Sequence, residues 1–447
     1  MISFKWFALA AFILIPSLLL AADPLFEPKM DYPAGGYQPI SVFGADLDGD
    51  GDTDLAVANF SSGNVSILEN NGDGSFQAPV IYDLNRAPWS IFSADLDNDG
   101  DMDLATSNML SDDVSILKNN GDGTFQEAVN YTVKFTGDWP FSVFGADLDG
   151  DGDVDLATAN RFTGNISILK NNGDGSFQTP VAYGSSIEWY YSIYGADIDG
   201  DGDVDLAVSP YASQAVYLYK NNGDGSFQAA YGYGGAGGRS VFCVDLDGDA
   251  DVDLAVARDY GDSVAVFKNN GDGTFLTSVN YAVVGRPWSV FGVDLDVDGN
   301  KDLAVANLDS DNVAILMNNG DGSFQTAVNY KAGDGPTSVF GADLDTDGDM
   351  DLAVTNQYDR TVSIFLNLSI IICTSKPGDA NGSGVPDLTD AIYLVNYIFK
   401  GSTAPYPLCR GDANGSGSSP NLTDLIYLIN YVFKSGPAPV PSGRCCL

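Results

Sequence analysis

Asp46-Leu47-Asp48-Gly49-Asp50-Gly51-Asp52-Thr53-Asp54-Leu55 sets an aspartate at every second position across nine residues. Near-copies begin at Asp95, Asp147, Asp197, Asp245, Asp294 and Asp343, at intervals of 49, 52, 50, 48, 49 and 49 residues. A period near 50 with turn signals inside each unit means a repeat architecture rather than one catalytic pocket. The alternating carboxylates form an oxygen-only donor set suited to a hard cation, Ca2+ above all. Four carboxylates about 5 Å apart repel by roughly 5 kcal/mol per loop even at the dielectric of water. A divalent ion removes that cost.

The 447-residue chain carries 61 acidic and 20 basic residues, a formal charge of −41. This excludes general affinity for nucleic-acid phosphate, which needs clustered lysine and arginine, and argues against docking on anionic lipid. With 44% hydrophobic and 11% aromatic residues the chain has ample material for a core, unlike an acidic disordered segment. It contains no histidine, so Ser-His-Asp and Cys-His catalysis and His-ligated zinc are excluded. Residues 1–22 read as a secretory signal: Lys5 is the positive start, Trp6 to Leu20 the apolar stretch, and Ala21-Ala22 the small-residue end. The expectation is a secreted protein, extracellular or at the cell surface, with no membrane insertion after cleavage. Cys243 lies alone within the repeats and is expected to be a buried free thiol. Cys373, Cys409, Cys445 and Cys446 cluster near the end, where export makes disulfides expected, with the pairing left open.

Each unit reads as four short strands. In the first, Ser41 to Ala45 leads into the acidic loop and Leu55 to Asn59 leaves it. Val65 to Leu68 follows, then an Asn70-Asn71-Gly72-Asp73-Gly74-Ser75-Phe76 hairpin and a strand from Gln77 to Asp83. The hairpin signal recurs at Asn119, Asn171, Asn221, Asn269 and Asn318. Four strands per unit is the profile of a β-propeller blade. The seventh unit stops at Asn367 without its hairpin or fourth strand, while Phe26-Glu27-Pro28 and the stretch to Ile40 line up with Phe76-Gln77-Ala78-Pro79. The expected fold is all-β: a seven-bladed propeller over residues 23–368, closed by an N-terminal strand so that no large sheet edge is left open. A linker (369–376) and a small α-helical domain (377–447) follow.

The repeated loop resembles those of the FG-GAP and VCBS repeat families, including integrin α-subunit propellers, over about residues 24–368. In those loops positions one, three, five and nine give carboxylate oxygens and position seven a main-chain carbonyl. The resemblance implies that Asp46, Asp48, Asp50 and Asp54 bind Ca2+ in the first unit, with the main chain of Asp52. It implies the same of Asp95, Asp97, Asp99 and Asp103 with Asp101, of Asp147, Asp149, Asp151 and Asp155 with Asp153, and of Asp197, Asp199, Asp201 and Asp205 with Asp203. The remaining units supply Asp245, Asp247, Asp249 and Asp253 with Asp251; Asp294, Asp296, Asp298 and Asp302 with Asn300; and Asp343, Asp345, Asp347 and Asp351 with Asp349. The sharp bend at position six favours glycine, so Ala250 there is expected to weaken the fifth site. The ion's expected role is to stiffen the loop.

The opposite end of the ring is the expected working surface. The residue before the first strand's serine is Ile40, Trp89, Phe141, Tyr191, Arg239, Trp288 and Thr337 in successive units. Trp139, Trp189 and Tyr190 lie beside two of these, and Phe60, Arg161, Phe162, Tyr211, Tyr260 and Tyr358 fall in nearby turns. Trp89, Phe141, Tyr191 and Trp288 are the candidate ligand-binding residues, stacking on a sugar or anchoring a protein; packing between blades is the competing role.

After residue 377 the sequence resembles a dockerin, a duplicated calcium-loop-helix unit that docks exported proteins onto cohesin receptors. In the first copy Asp379, Asn381, Ser383, Asp387 and Asp390 match loop positions one, three, five, nine and twelve. In the second, Asp412, Asn414, Ser416, Asn421 and Asp424 match with one extra residue before Asn421. The resemblance implies a cohesin-like or surface partner for this tail. The expected function is binding or adhesion to a glycan or protein. The rival is an extracellular polysaccharide lyase or hydrolase acting at the channel, which needs paired acids; Glu127 and Glu188 are the only glutamates after residue 70 and lie in different units.

Overall fold

The structure, a computed structural model, describes residues 25–368 apart from 134–136, 185–187, 212 and 236, and beyond them residue 395 alone. The expected leader, the linker, the terminal cysteines and the dockerin-like domain with its candidate ligands lie outside the described residues. Seven four-stranded antiparallel sheets form the blades. Blade 1 comprises, from inside outward, Pro39–Ala45, Asp54–Asn59, Asn64–Leu68 and Val80–Asp83. The inner strands of blades 2 to 7 are Pro88–Ala94, Pro140–Ala146, Trp189–Ala196, Ser240–Val244, Pro287–Val293 and Pro336–Ala342. Each inner strand contacts the next, and that of blade 7 contacts that of blade 1, so the ring is closed. Blade 7 takes its outer strand from the N-terminus: Met30–Pro33 pairs with Thr361–Phe365 in the register Met30↔Ile364 to Pro33↔Thr361.

The middle strands are buried along nearly their whole length, and in blades 1 and 2 along all of it, because a neighbouring blade covers each face. That explains runs such as Leu55-Ala56-Val57-Ala58, which are apolar without alternation. The outer strands are mostly exposed and turn only one tyrosine inward.

Four side-chain circuits run round the ring, and each crosses the junction of blades 7 and 1. Phe43, Phe92, Phe144, Tyr194, Phe242, Phe291 and Phe340 form a collar with successive ring centroids 4.7–5.7 Å apart. Glycine follows several of these residues because the collar leaves no room: a Cβ on Gly44 would lie 2.6 Å from the Phe340 ring. The second circuit is hydrogen-bonded. Ser41 Oγ accepts the Ile91 N–H at 3.3 Å, and so onward to Ser338 Oγ, which accepts the Val42 N–H at 3.3 Å. In the third, outer-strand tyrosines meet the next blade's hairpin phenylalanine edge-on, as in Tyr82–Phe125 at 5.4 Å. At the seam Tyr330 meets Phe26 and Tyr32 meets Phe76, so the N-terminal segment supplies both partners that blade 7 lacks. Each aromatic pair contributes about 0.5–1.5 kcal/mol beyond the area it buries.

The fourth circuit belongs to the first asparagine of each hairpin. Asn119 Nδ2 donates to Leu47 O of the preceding blade at 2.7 Å and to Met102 O of its own at 3.0 Å. Asn70 does the same across the seam, reaching Leu344 O at 2.8 Å.

Candidate metal loops and the opposite aromatic face

The acidic loops join first to second strands and therefore stand at the same end of the ring as the hairpins. Each loop is built by its own side chains. Asp46 accepts the N–H groups of Gly49 (2.8 Å) and Gly51 (3.1 Å), and Asp50 accepts that of Asp52 (3.0 Å). These bonds fold the loop so that oxygens of Asp46, Asp48 and Asp50 gather within 4.8 Å of one another. The same holds for Asp95, Asp97 and Asp99; Asp197, Asp199 and Asp201; and Asp245, Asp247 and Asp249, whereas in blade 3 Asp147 and Asp149 gather with Asp155.

The ninth-position aspartates take a further role. Asp54 is buried and gives both oxygens to backbone donors, Leu47 N–H at 3.0 Å and Asn70 N–H at 2.8 Å. Asp103, Asp155, Asp253, Asp302 and Asp351 repeat this double bond. Asp205 accepts the Asn221 N–H and keeps Oδ2 buried and unpaired. Burial pushes the carboxyls of Asp54, Asp103, Asp155 and Asp205 up to about 6, and those of Asp253, Asp302 and Asp351 up to about 7, against the pull of their backbone donors. Burial beside Asp347 and Asp351 pushes Asp349 up to about 8.

A calcium ion fits this donor set. All donors are oxygen, as a hard cation requires. Oδ1 of Asp95, Asp97, Asp149, Asp199, Asp247, Asp294, Asp296 and Asp343 is buried without a hydrogen-bond partner. A buried anionic oxygen with no donor is costly unless a cation faces it. Ala250, in blade 5, adopts the left-handed φ of 75° and its N–H still reaches Asp245 Oδ2 at 3.0 Å, so the loop keeps its shape against local strain. The fourth loop position also needs positive φ. Glycine or asparagine supplies it in blades 1 to 5, but Val297 (φ 59°) and Thr346 (φ 58°) are strained there.

The opposite face carries the candidate ligand residues. In six blades the inner strand bulges there: Pro39 pairs with Asn59 and Ser41 with Ala58, leaving Ile40 as the extra residue. A bulge re-aims its side chain, and Trp89, Phe141, Tyr191 and Trp288 occupy this place. They do not form the open stacking surface expected of them. Phe141 and Tyr191 are buried, 2% and 7% exposed, because Trp89–Phe141 (4.4 Å), Phe141–Tyr191 (4.6 Å) and Tyr191–Tyr211 (4.9 Å) pack into one band across blades. Trp89 and Trp288 are half-buried. The exposed rings of this face are Tyr37, Phe162, Trp189, Tyr260 and Tyr358 among the described residues. Phe60, packed on Trp89 at 5.2 Å, borders a groove of about 560 Å³ that Arg86 and Leu110 also line.

Arginines concentrate on this face. Arg86, Arg161, Arg239, Arg258, Arg286 and Arg360, all six of the described residues, lie in its connections or strand ends. Arg86, Arg239 and Arg286 pair with Asp113, Asp259 and Asp309. Among the described residues, the Arg161 side chain has no hydrogen-bond or ion-pair partner. Its guanidinium lies among Trp189 (4.8 Å), Phe141 (5.0 Å), Tyr191 (5.1 Å), Phe162 (5.5 Å) and Trp139 (5.7 Å), with Nε buried and unpaired. Among the described residues, ring faces are what meets the charge of Arg161.

Residues 46–106, 107–158, 147–208, 197–256, 245–305 and 294–354 match the FG-GAP-like repeat model, and the chain belongs to that family. No curated protein matches it. Among solved structures, it is similar to BBS1N in complex with ARL6DN, at 16% identity over 77% of this chain and 96% of that one, TM-score 0.53. It is also similar to virginiamycin B lyase from Staphylococcus aureus (10%; 76% and 99%; 0.52). A third likeness is to an Agrocybe aegerita lectin that recognises non-reducing terminal N-acetylglucosamine (23%; 65% and 80%; 0.47). At such identities these likenesses concern the fold, and fold does not fix function.

Proposed function

We propose that this chain is a secreted, calcium-stabilised binding module. Ca2+ sits in the acidic loops as a structural ion, and the opposite face takes a glycan bearing carboxylate or sulfate groups. The observation that carries the ligand class is Arg161: a half-buried cation without an acceptor, in a chain of net charge −41, beside the exposed rings of Phe162 and Trp189. Exposed rings suit the apolar faces of sugars, and a guanidinium suits a carboxylate or sulfate bidentately. The residues after 377, from their dockerin-like pattern, attach the module to a cohesin-like or surface partner. No residue is assigned to bond breaking.

The test is calorimetry with the whole chain against uronate-rich, sulfated and neutral polysaccharides. Selective binding of the anionic ones, lost in Arg161→Gln with unchanged melting, supports the reading. Binding of neutral glycans alone overturns the anionic class. No glycan binding moves the face to a protein partner. New reducing or unsaturated ends in the same mixtures restore the lyase or hydrolase reading.

A further inference from the structure

The residue that follows each third strand stands between the acidic loop of its own blade and the hairpin of the next. From blade 1 to blade 7 it is Glu69, Lys118, Lys170, Lys220, Lys268, Met317 and Leu366. In blades 2 to 5 the lysine binds Oδ2 of the third-position aspartate: Lys118–Asp97 at 3.0 Å, Lys170–Asp149 at 2.9 Å, Lys220–Asp199 at 2.8 Å and Lys268–Asp247 at 3.3 Å. The same ammonium donates to a hairpin carbonyl of the following blade. Lys170 reaches Asp224 O at 2.6 Å and Lys220 reaches Asp272 O at 3.3 Å, while Lys118 and Lys268 reach Asp174 O and Asp321 O. Each of these aspartates keeps Oδ1 buried and unpaired, free for a cation.

Blades 6, 7 and 1 have no such ammonium. Glu69 approaches Gly123 of the next hairpin where a lysine stands elsewhere, Leu366 packs on Gly74, and Met317 packs into the core beside Phe26. These three blades are neighbours, and the middle one is where the first and last strands of the propeller meet. Lysine bridges therefore span the junctions 2–3, 3–4, 4–5 and 5–6. The junctions 6–7, 7–1 and 1–2 lack them.

We infer that the seven loops form two classes. The loops of blades 6, 7 and 1 take calcium tightly, and their ions hold the seam of the ring. Those of blades 2 to 5 take it weakly and stay ordered without it, because a lysine already neutralises one carboxylate and ties two blades. The inference rests on the calcium reading above. A unit charge about 6 Å from a divalent ion changes its affinity about tenfold even at the dielectric of water, and more where water is excluded.

The experiment is calorimetric titration of CaCl2 into EDTA-stripped full-length protein, comparing wild type with Glu69→Lys, Glu69→Gln and Lys220→Met. The expected result is two affinity classes at least about tenfold apart. Glu69→Lys removes one tight site, Lys220→Met adds one, and Glu69→Gln weakens blade 1 about tenfold to the affinity of blades 6 and 7, so that the count of tight sites stays the same. Comparing variants cancels any sites in residues 377–447. Lysine is already accommodated at this place in four blades, so Glu69→Lys is expected to fold, and hydrogen exchange gives a second readout. In EDTA, deuterium uptake rises in residues 30–33, 46–54, 294–302 and 343–351 and stays low in the loops of blades 2 to 5. Equivalent propeller sites, or site counts indifferent to Glu69→Lys and Lys220→Met, overturn the two classes. Failure of every loop to bind calcium overturns the calcium reading itself.

Discussion

Calcium-free protein is expected to be more stable in mild acid than at neutral pH, the reverse of ordinary acid denaturation. The perturbation is chelation with EDTA followed by lowering the pH from about 7.5 to about 5. The seven ninth-position aspartates sit in the fold with carboxyls pushed up to about 6 or 7 by burial, from an ordinary value of 3.8. A folded pKa above the unfolded one means that the fold holds protons the unfolded chain has released. Stability therefore falls as pH rises through that window, from about 4 to about 7. At 1.36 kcal/mol per pKa unit, the change between pH 7.5 and 5 is about 1–3 kcal/mol per group. Solvent screening reduces this to roughly 1 kcal/mol each, so seven groups give on the order of 7 kcal/mol. For a domain of this size that is a rise in Tm on the order of 5–10 °C.

With excess Ca2+ the dependence should invert. On the calcium reading, the ion would bind the ionised loops and stabilise the neutral-pH state, and protons would compete it away as the pH falls. Scanning calorimetry at several pH values, with EDTA and with Ca2+, should give two Tm curves that diverge at pH 7.5 and converge towards pH 5. A Tm in EDTA that falls steadily from pH 7.5 to 5 would refute the reasoning. It would mean that these carboxylates are paired as anions in the fold and not held back from ionising.

Three other outcomes follow from the geometry. Asn119→Ala removes a side chain that donates to Leu47 O and Met102 O and accepts from Gly121 N–H; it should cost about 2–4 kcal/mol in denaturant unfolding, and a loss below about 1 kcal/mol would demote this circuit. A chain beginning at residue 39 loses the strand Met30–Pro33 and leaves Thr361–Phe365 as a bare apolar edge; it should elute as aggregate, and a peptide of residues 25–38 should restore the monomer. Cys243 is buried and its thiol is pushed far up by burial; a thiol reagent should label it only after unfolding, and rapid labelling of native protein would contradict its place in the inner strand.

The ring was legible because its evidence is local and repeated. Seven acidic loops at a 50-residue period, four strand signals per unit and the matching truncation at Asn367 are all visible along the chain. The outer strand is shorter than expected, starting at Val80 rather than Gln77, since Gln77 to Pro79 still belong to the hairpin's return. What stayed hidden are bonds across blades. Ser41 and Asn70 recur in every unit, so their repetition was readable. Their partners, Ile91 N–H and Leu344 O, lie 50 and 274 residues away, and no local pattern names them. Phe141 and Tyr191 looked like rim residues because only their position along the strand was visible; burial depends on what the adjoining blades and Arg161 place over them. Lys118, Lys170, Lys220 and Lys268 likewise carry no sequence signal of their two partners, which only the fold brings together.

The seam shows how packing and electrostatics divide the work of closure. Ser338 to Val42, Phe340 to Phe43, Asn70 to Leu344, and Tyr32 to Phe76 repeat at the 7–1 junction the contacts made at every other junction. Side-chain packing therefore gives no reason for the ring to open there rather than elsewhere. Two things differ. Blade 7 is joined to its outer strand by pairing alone rather than by a covalent hairpin, so the entropy of holding the first and last strands of the propeller together falls on this blade. Blades 7 and 1 also lack the lysine bridges, leaving their loops with more uncompensated charge than those of blades 2 to 5, whereas Asn300 and Lys301 lower the charge of the blade 6 loop. The junction with the largest entropic cost is thus also one whose loops would gain most from a cation, so on the calcium reading a bound ion would stabilise the ring most where closure is least assured by the chain itself.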